Sequence, residues 1–304
     1  MHNLKDNLKF DKMTDMDLLG NFNEALKKEE FKKLVDKIKL PYEELSKYTT
    51  ILEDCALEYN NCLHCKNIME CKNKIKGHAY LPEVEDKKLK FGYKMCKKQE
   101  KLNKENKYLE NVYSYDIPEA IKRASMKDIY TDDKNRFNTV KWINKFIKEY
   151  DKNSHCKGLY LSGSFGSGKT YLVSAMFNEL AKHNIKSSII FWPEFLVYLK
   201  SLFGKEEYQE VLNKIKKVPL LLIDDIGAET TTSWSRDEVL SPILQYRMQE
   251  SLPTFFTSNL NIELLEKHLS VSKDGIEEVK AKRIIERINQ LTEKQDLISK
   301  NYRK

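Results

Sequence analysis

Eight consecutive residues, Gly163-Ser-Phe-Gly-Ser-Gly-Lys169-Thr170, constrain this chain more than any other stretch. They fit G-x-x-x-x-G-K-[ST], a glycine-rich turn that points successive backbone N–H groups at phosphate oxygens. Gly163, Ser164, Phe165, Gly166, Ser167 and Gly168 would form the cradle. Lys169 would reach the β- and γ-phosphates, and Thr170 would hold Mg²⁺. Such a loop works only between a strand and a helix. Gly158-Leu-Tyr-Leu-Ser162 is a short apolar run suited to a buried strand, and Leu172, Val173, Met176, Phe177 and Leu180 recur at helical spacing. The expectation is an α/β domain with a parallel sheet that binds ATP.

Two more strand tips belong to the same scheme. Pro219-Leu-Leu-Leu-Ile-Asp224-Asp225 reads as a buried parallel strand ending in acids. Asp224 would bind Mg²⁺, and Asp225 sits where a general base would polarise an attacking water. Pro253-Thr-Phe-Phe-Thr-Ser258 is a further strand with Asn259 at its tip. That amide can orient water or the γ-phosphate, or it can simply turn the chain out of the sheet. Ser187–Phe191 is another strand, and helices are predicted over 135–150, 193–203, 205–216 and 277–289. From Ser235 to Glu250 the helical period is interrupted by Pro242, which either kinks one helix or opens a second one capped by Ser241.

The 304 residues suit one large domain plus a smaller one. Residues 97–111 are almost continuously polar and read as a linker or solvated helix, which divides the chain into 1–110 and 111–304. One helix is predicted over 23–39 and another over 42–59. The chain carries no apolar run near the ~20 residues of a membrane span and no apolar signal core near Met1. A cytoplasmic protein is expected, with reduced thiols, so the six cysteines point to metal or core rather than disulfides. Cys62-x-x-Cys65 can offer two thiolates to one Zn²⁺, with His78 and Cys96 completing the set and Cys71 as the alternative ligand. Cys55 and Cys156 read as ordinary buried thiols. Residues 1–110 are thus expected to form a small helical zinc-binding domain stapled by its metal. The net charge of +7 is modest, although residues 280–304 are locally basic.

The three strand tips together resemble the AAA+ class of P-loop ATPases. Longer blocks narrow the likeness: Leu222-Ile-Asp-Asp-Ile-Gly-Ala-Glu229, Ser233-Trp-Ser-Arg-Asp-Glu-Val239, Leu244-Gln-Tyr-Arg-Met-Gln-Glu250 and Lys280-Ala-Lys-Arg-Ile-Ile-Glu-Arg287. They resemble the DnaC/DnaI family of bacterial replicative helicase loaders, and a zinc module ahead of the ATPase resembles its DnaI branch. The resemblance implies ATP-dependent delivery of the replicative hexameric DNA helicase onto single-stranded DNA during initiation and primosome assembly. It implies contacts with other primosome proteins and a homo-oligomer on the helicase, gripped through the N-terminal domain. By motif, Asn259 would be sensor 1, Arg287 the arginine finger toward a neighbouring subunit's γ-phosphate, and Arg303 the sensor-2 arginine. Leu199-Lys-Ser-Leu-Phe203 resembles an insertion helix, with Lys200 near a DNA phosphate and Phe203 under a base; Phe203 as a core residue is the alternative. Asp225 stands where many AAA+ proteins carry Glu, so slow or partner-stimulated hydrolysis is expected. Two other readings stand beside this one. A transposition helper ATPase of the IstB type shares the core, though the zinc module argues against it. A zinc-module helicase adaptor with a near-inactive ATPase is the other.

Overall fold

The computed structural model describes residues 15–86, 88–130, 133–150, 156–272 and 275–302. The chain divides into two units, Met1–Asn106 and Lys107–Lys304.

The first unit opens with α1 (Asp15–Ala25), α2 (Glu29–Val35), α3 (Tyr42–Leu45) and α4 (Thr49–His64). The single helix expected over 23–39 is two helices. The backbone leaves the helical region at Lys28, with ψ 124°. The break lets Phe22 and Phe31 meet edge-on at 5.5 Å in a core shared with Leu34, Leu45 and Leu52. The expectation of an all-helical module also needs correction. An antiparallel hairpin of β1 (His78–Glu85) and β2 (Lys88–Met95) follows, with Ala79 and Leu89 buried. The buried Glu58 carboxylate on α4 accepts N–H bonds from Tyr80 (2.6 Å) and Lys74 (3.3 Å), which ties the hairpin to the helix. α5 (Lys97–Glu105) is a solvated helix with no buried residue.

The second unit is built on a six-stranded sheet ordered β10-β4-β7-β6-β5-β3, with every neighbouring pair parallel. These strands are β3 (Val112–Tyr115), β4 (Gly158–Gly163), β5 (Ser187–Phe191), β6 (Leu220–Asp224), β7 (Thr254–Ser258) and β10 (Thr292–Leu297). A two-residue ladder, β8 (Val271–Ser272) with β9 (Gly275–Ile276), lies outside the sheet. The helices are α6 (Glu119–Lys122), α7 (Phe137–Tyr150), α8 (Lys169–Ala181), α9 (Trp192–Ser201), α10 (Glu207–Lys217), α11 (Ser241–Gln249), α12 (Ile262–Ser270) and α13 (Glu278–Leu291).

Side chains alternate across each strand, so both faces of the sheet carry a core. Leu220 and Leu222 of β6 join Leu159, Phe146 and Phe177 on one face, while Leu221 and Ile223 join Tyr160, Phe195 and Ile243 on the other. This double burial explains why the central strands read as unbroken apolar runs. The edge strand β10, Thr-Glu-Lys-Gln-Asp-Leu, was not expected, because an edge strand exposes much of its length and carries polar residues there. The Trp142 indole N–H donates to Glu293 at 2.8 Å and ties β10 to α7.

Around Pro242 the backbone stays helical. Leu240 has φ −63° and ψ −50°, so Ser241 caps no new helix. A π-helical stretch, Trp234–Leu240, precedes the proline, and its wider turn accommodates the missing N–H. Arg247 of α11 is fully buried. Its guanidinium donates to the carbonyls of Val218 (2.7 Å), Pro253 (2.7 Å), Lys216 (3.1 Å) and Pro219 (3.2 Å) and to Thr254 Oγ1 (2.8 Å). Among the described residues, no helix is long and apolar enough to cross a membrane.

Candidate nucleotide-binding site

β4 ends in the phosphate loop, and Lys169 is the first residue of α8, so the loop feeds straight into a helix N-terminus. Gly163, Gly166 and Gly168 all have positive φ: 146°, 70° and 86°. At two of them a side chain is excluded by contact as well. A Cβ on Gly163 would lie 2.1 Å from the Leu297 carbonyl oxygen, and one on Gly166 would lie 1.9 Å from Asn301 Oδ1. The segment after β10 therefore backs the loop. Tyr302 N–H donates to the Gly166 carbonyl at 2.8 Å, and the Ser164 hydroxyl donates to the Ser299 carbonyl at 2.8 Å.

The predicted strand tips converge. Lys169 Nζ donates to the Gly163 and Ser164 carbonyls at 3.0 and 2.9 Å and to Asn259 Oδ1 at 2.8 Å. Asn259 Nδ2 in turn donates to Asp225 Oδ1 at 3.1 Å. One amide thus joins the phosphate-loop lysine to the second acid of β6. Asp225 sits in the left-handed region at φ 56°, which Asp tolerates, with its N–H held by Thr257 Oγ1 at 2.9 Å. Asp224 is buried, and Oδ1 accepts from Thr170 (2.6 Å) and Thr257 (2.5 Å). Burial pushes its carboxyl above the usual range, against the pull of those two hydroxyl donors. Paired acid and hydroxyl are the donor set a Mg²⁺ ion takes from a P-loop protein.

These groups line a cavity of about 400 Å³, together with Ile129, Tyr130, Arg136, Tyr171 and Tyr302. The size and mixed polarity suit a nucleotide. Ser167 is fully buried, whereas Phe165 is exposed at the loop's tip. Arg287 is not among the lining residues; its guanidinium donates to the Ser241 hydroxyl at 2.5 Å. Arg303 lies outside the described residues. Thr257, Arg136 and Tyr302 were missed by the reading of the sequence. Thr257 had a usable signal, a hydroxyl two residues before Asn259 on the same strand.

Phe203 is 54% exposed, which removes its reading as a core residue. It packs edge-on against Trp234 at 5.2 Å and Tyr208 at 5.6 Å, and Lys200 Nζ lies 5.2 Å above the Trp234 ring. Trp234, at the start of the π-helical stretch, was not singled out from sequence.

In the first unit Cys62, Cys65, Cys71, His78 and Cys96 line one small cavity of about 170 Å³. The set expected to bind zinc, Cys62, Cys65, His78 and Cys96 with Cys71 as the alternative, is gathered at that cavity. Among the described residues, no three His, Cys, Asp or Glu side chains are arranged to hold a metal ion. The groups are turned to local partners instead: the Cys65 thiol to the Asn67 carbonyl (3.1 Å), Cys71 to Gly77 N–H (3.4 Å), Cys96 to Gln99 N–H (3.4 Å) and His78 Nδ1 to the Lys76 carbonyl (3.2 Å). Burial pushes the Cys62 thiol up, the Asn73 amide donor pulls it down, and the neighbouring Cys96, Cys71 and Cys65 add to the rise. Cys55 is an inert buried thiol pushed up to about 12.

A family model described as AFG1-like ATPase matches residues 94–220. The replicative helicase loader DnaI of Bacillus subtilis (strain 168) is 38% identical over 229 residues, which span 75% of this chain and 74% of that protein. The crystal structure of DnaI matches with a TM-score of 0.57 at 44% identity, covering 65% of this chain and 100% of that one. The crystal structure of the DnaC helicase loader matches with a TM-score of 0.50 at 22% identity, covering 59% of this chain and 99% of that one, a likeness of fold. The 229 residues shared with DnaI exceed the extent of Lys107–Lys304, so that match runs into the first unit as well. The chain belongs to the DnaI family of replicative helicase loaders.

Proposed function

We propose that this protein is an ATP-switched loader that delivers a replicative hexameric helicase onto single-stranded DNA during primosome assembly. The observation that carries the reading is the 38% identity to DnaI over 75% of the chain, more than the second unit alone spans, since a shared ATPase core alone would not distinguish a loader from a transposition helper. The site supports a switch. Lys169, Asn259 and Asp225 form one hydrogen-bonded line, so a γ-phosphate arriving at Lys169 changes the partners of Asn259 and, through it, of Asp225. When bound, Mg²⁺-ATP supplies the phosphoanhydride to be cleaved. Thr170 and Asp224 would hold the ion, Lys169 would neutralise phosphate charge, and Asp225 would orient water. Arg287 would act on a neighbouring subunit's nucleotide in a homo-oligomer on the helicase, as Arg303 would on its own.

Residues 1–106 would grip the helicase, and Zn²⁺ would hold their cysteine corner through Cys62, Cys65 and two of Cys71, His78 and Cys96. The donor set is right for zinc: thiols facing one cavity, three of them accepting N–H bonds of the kind that stabilise a thiolate. The test is co-purification with the replicative helicase. The full chain is expected to hold the helicase and a chain starting at Lys107 to lose it. Cys62→Ser with Cys65→Ser should release zinc, read by metal analysis, and weaken capture. Equal capture by the shortened chain would overturn the assignment to the first unit, and unchanged zinc would overturn the ligand set.

Lys200, Phe203 and Trp234 offer an exposed ring with a cation beside it, which suits single-stranded DNA: a base stacks on the aromatic face and a phosphate meets the ammonium. Phe203→Ala is expected to cost ~1–3 kcal/mol of oligonucleotide affinity, measured by fluorescence anisotropy on a thymidine oligomer. Trp234→Ala should lose a comparable amount. Parent-like affinity in both would remove DNA from this face.

A further inference from the structure

Three arginines of the second unit are almost entirely buried: Arg136, Arg236 and Arg247. Two are satisfied. Arg236 pairs with Asp237 and Glu277 and donates to the Leu269 carbonyl, and Arg247 is held by its carbonyls and Thr254. Arg136 differs. It is 2% exposed, its Nε has no hydrogen-bond partner, and among the described residues it pairs with no carboxylate. Its guanidinium carbon lies over the Tyr302 ring, 4.4 Å from the centroid. Tyr130 stacks on that ring at 5.2 Å and 10°. A buried cation without a paired anion is costly, and stacking alone does not replace one.

The position of Arg136 names the missing partner. It ends a short turn, Lys134–Arg136, whose start is fixed by the Asp133 side chain accepting from Asn135 N–H at 2.9 Å. Asp133 also accepts from the Ser299 hydroxyl at 2.5 Å, so this neighbouring acid is already engaged with the backing segment. The turn places the guanidinium against the phosphate loop, with Nη2 3.4 Å and Nη1 3.7 Å from where a Cβ on Gly168 would stand. It lines the same cavity as Lys169 and Thr170.

We infer that Arg136 is a second phosphate-binding cation of the nucleotide site, donating from the side of Gly168 to the polyphosphate of a nucleoside di- or triphosphate held by Lys169. The inference rests on the nucleotide reading of the loop and deepens it. The planar fork suits two phosphate oxygens at once, which a lysine there would not match. Tyr302 serves as the plate on which the guanidinium rests, so Arg136 also connects bound phosphate to the segment that follows β10.

The test is equilibrium titration of the full chain with a fluorescent N-methylanthraniloyl ADP in Mg²⁺, with adenosine as competitor. Arg136→Gln, which removes the charge and keeps a polar side chain, is expected to weaken ADP binding about ten- to hundredfold and to leave competition by adenosine unchanged. Arg136→Lys, which restores charge without the fork, should recover part of the loss. ADP affinity of Arg136→Gln equal to that of the parent overturns the inference. So does an equal loss of ADP and adenosine with no recovery in Arg136→Lys, the mark of a purely structural arginine. Lys169→Ala in the same titration separates the two levels. If it too binds ADP like the parent, the nucleotide reading falls; if it loses ADP while Arg136→Gln does not, only the role of Arg136 falls.

Discussion

Lys169→Ala is expected to weaken ATP binding by ~2–5 kcal/mol, enough to remove it at ordinary ligand concentrations. Lys169 is buried, and its ammonium donates to the Gly163 and Ser164 carbonyls and the Asn259 amide oxygen. Its loss leaves phosphate charge uncompensated in a low-dielectric cavity and unties Asn259 from the loop. The fold should survive, because Ala is the best helix former and the position is the first of α8. Titration with fluorescent ATP measures the first effect, and loading of the helicase onto single-stranded DNA measures the second. Loading that persists after ATP binding is gone would favour a passive adaptor over a switch. Asp225→Glu addresses the same line from its other end. Its longer carboxylate reaches farther toward an attacking water, so turnover should rise, and no increase over the parent would refute the short carboxylate as the brake.

Arg247→Met is expected to destabilise the second unit by ~3–5 kcal/mol, a large share of a typical domain's stability. The substitution keeps volume and apolar stem but removes the guanidinium donors from a cluster of buried oxygens. The carbonyls of Lys216, Val218, Pro219 and Pro253 belong to the segments that enter β6 and β7, so the guanidinium is the joint between those two strand starts. Buried carbonyls left without a donor carry the full desolvation cost. The Pro253 carbonyl keeps a second donor, the Leu221 N–H at 3.4 Å. Arg247→Lys should recover only part, because a single ammonium cannot span the fork. Urea unfolding followed by far-ultraviolet dichroism reads the difference; a loss below ~1 kcal/mol would show that the carbonyls find other partners.

The parts of the nucleotide site that could be read from the chain are those whose meaning is local. Gly163 to Thr170, Asp224 and Asn259 each sit at the end of an apolar strand run, and the parallel sheet brings strand ends together. Arg136 and Tyr302 could not be read this way. They meet from positions far apart in the chain, and neither belongs to a periodic or motif pattern. Trp234 was hidden for a related reason, since its ring faces Phe203 only after the π-helical stretch has set its direction. The hairpin of the first unit is a different case. Leu89, Phe91 and Tyr93 alternate with Lys88, Lys90 and Lys94, a period-two signal that was present but overshadowed by the cysteine spacing. The break at Lys28 left no proline or glycine to announce it, and tertiary contact between Phe22 and Phe31 decided it.

The placement of β10 beside β4 bears on how the molecule comes into being. During synthesis the phosphate loop, Asp224 and Asn259 all leave the ribosome before residues 292–302. Until those residues arrive, β4 has β7 on one side and an open edge on the other, and Gly163 and Gly166 lack the backbone and Asn301 that pack against them. A nascent chain therefore carries the phosphate loop, Asp224 and Asn259 before it has the residues that pack against the loop. Bound ATP would then certify a chain synthesised at least through Tyr302, so that a prematurely terminated product could not enter the switching cycle and occupy a helicase.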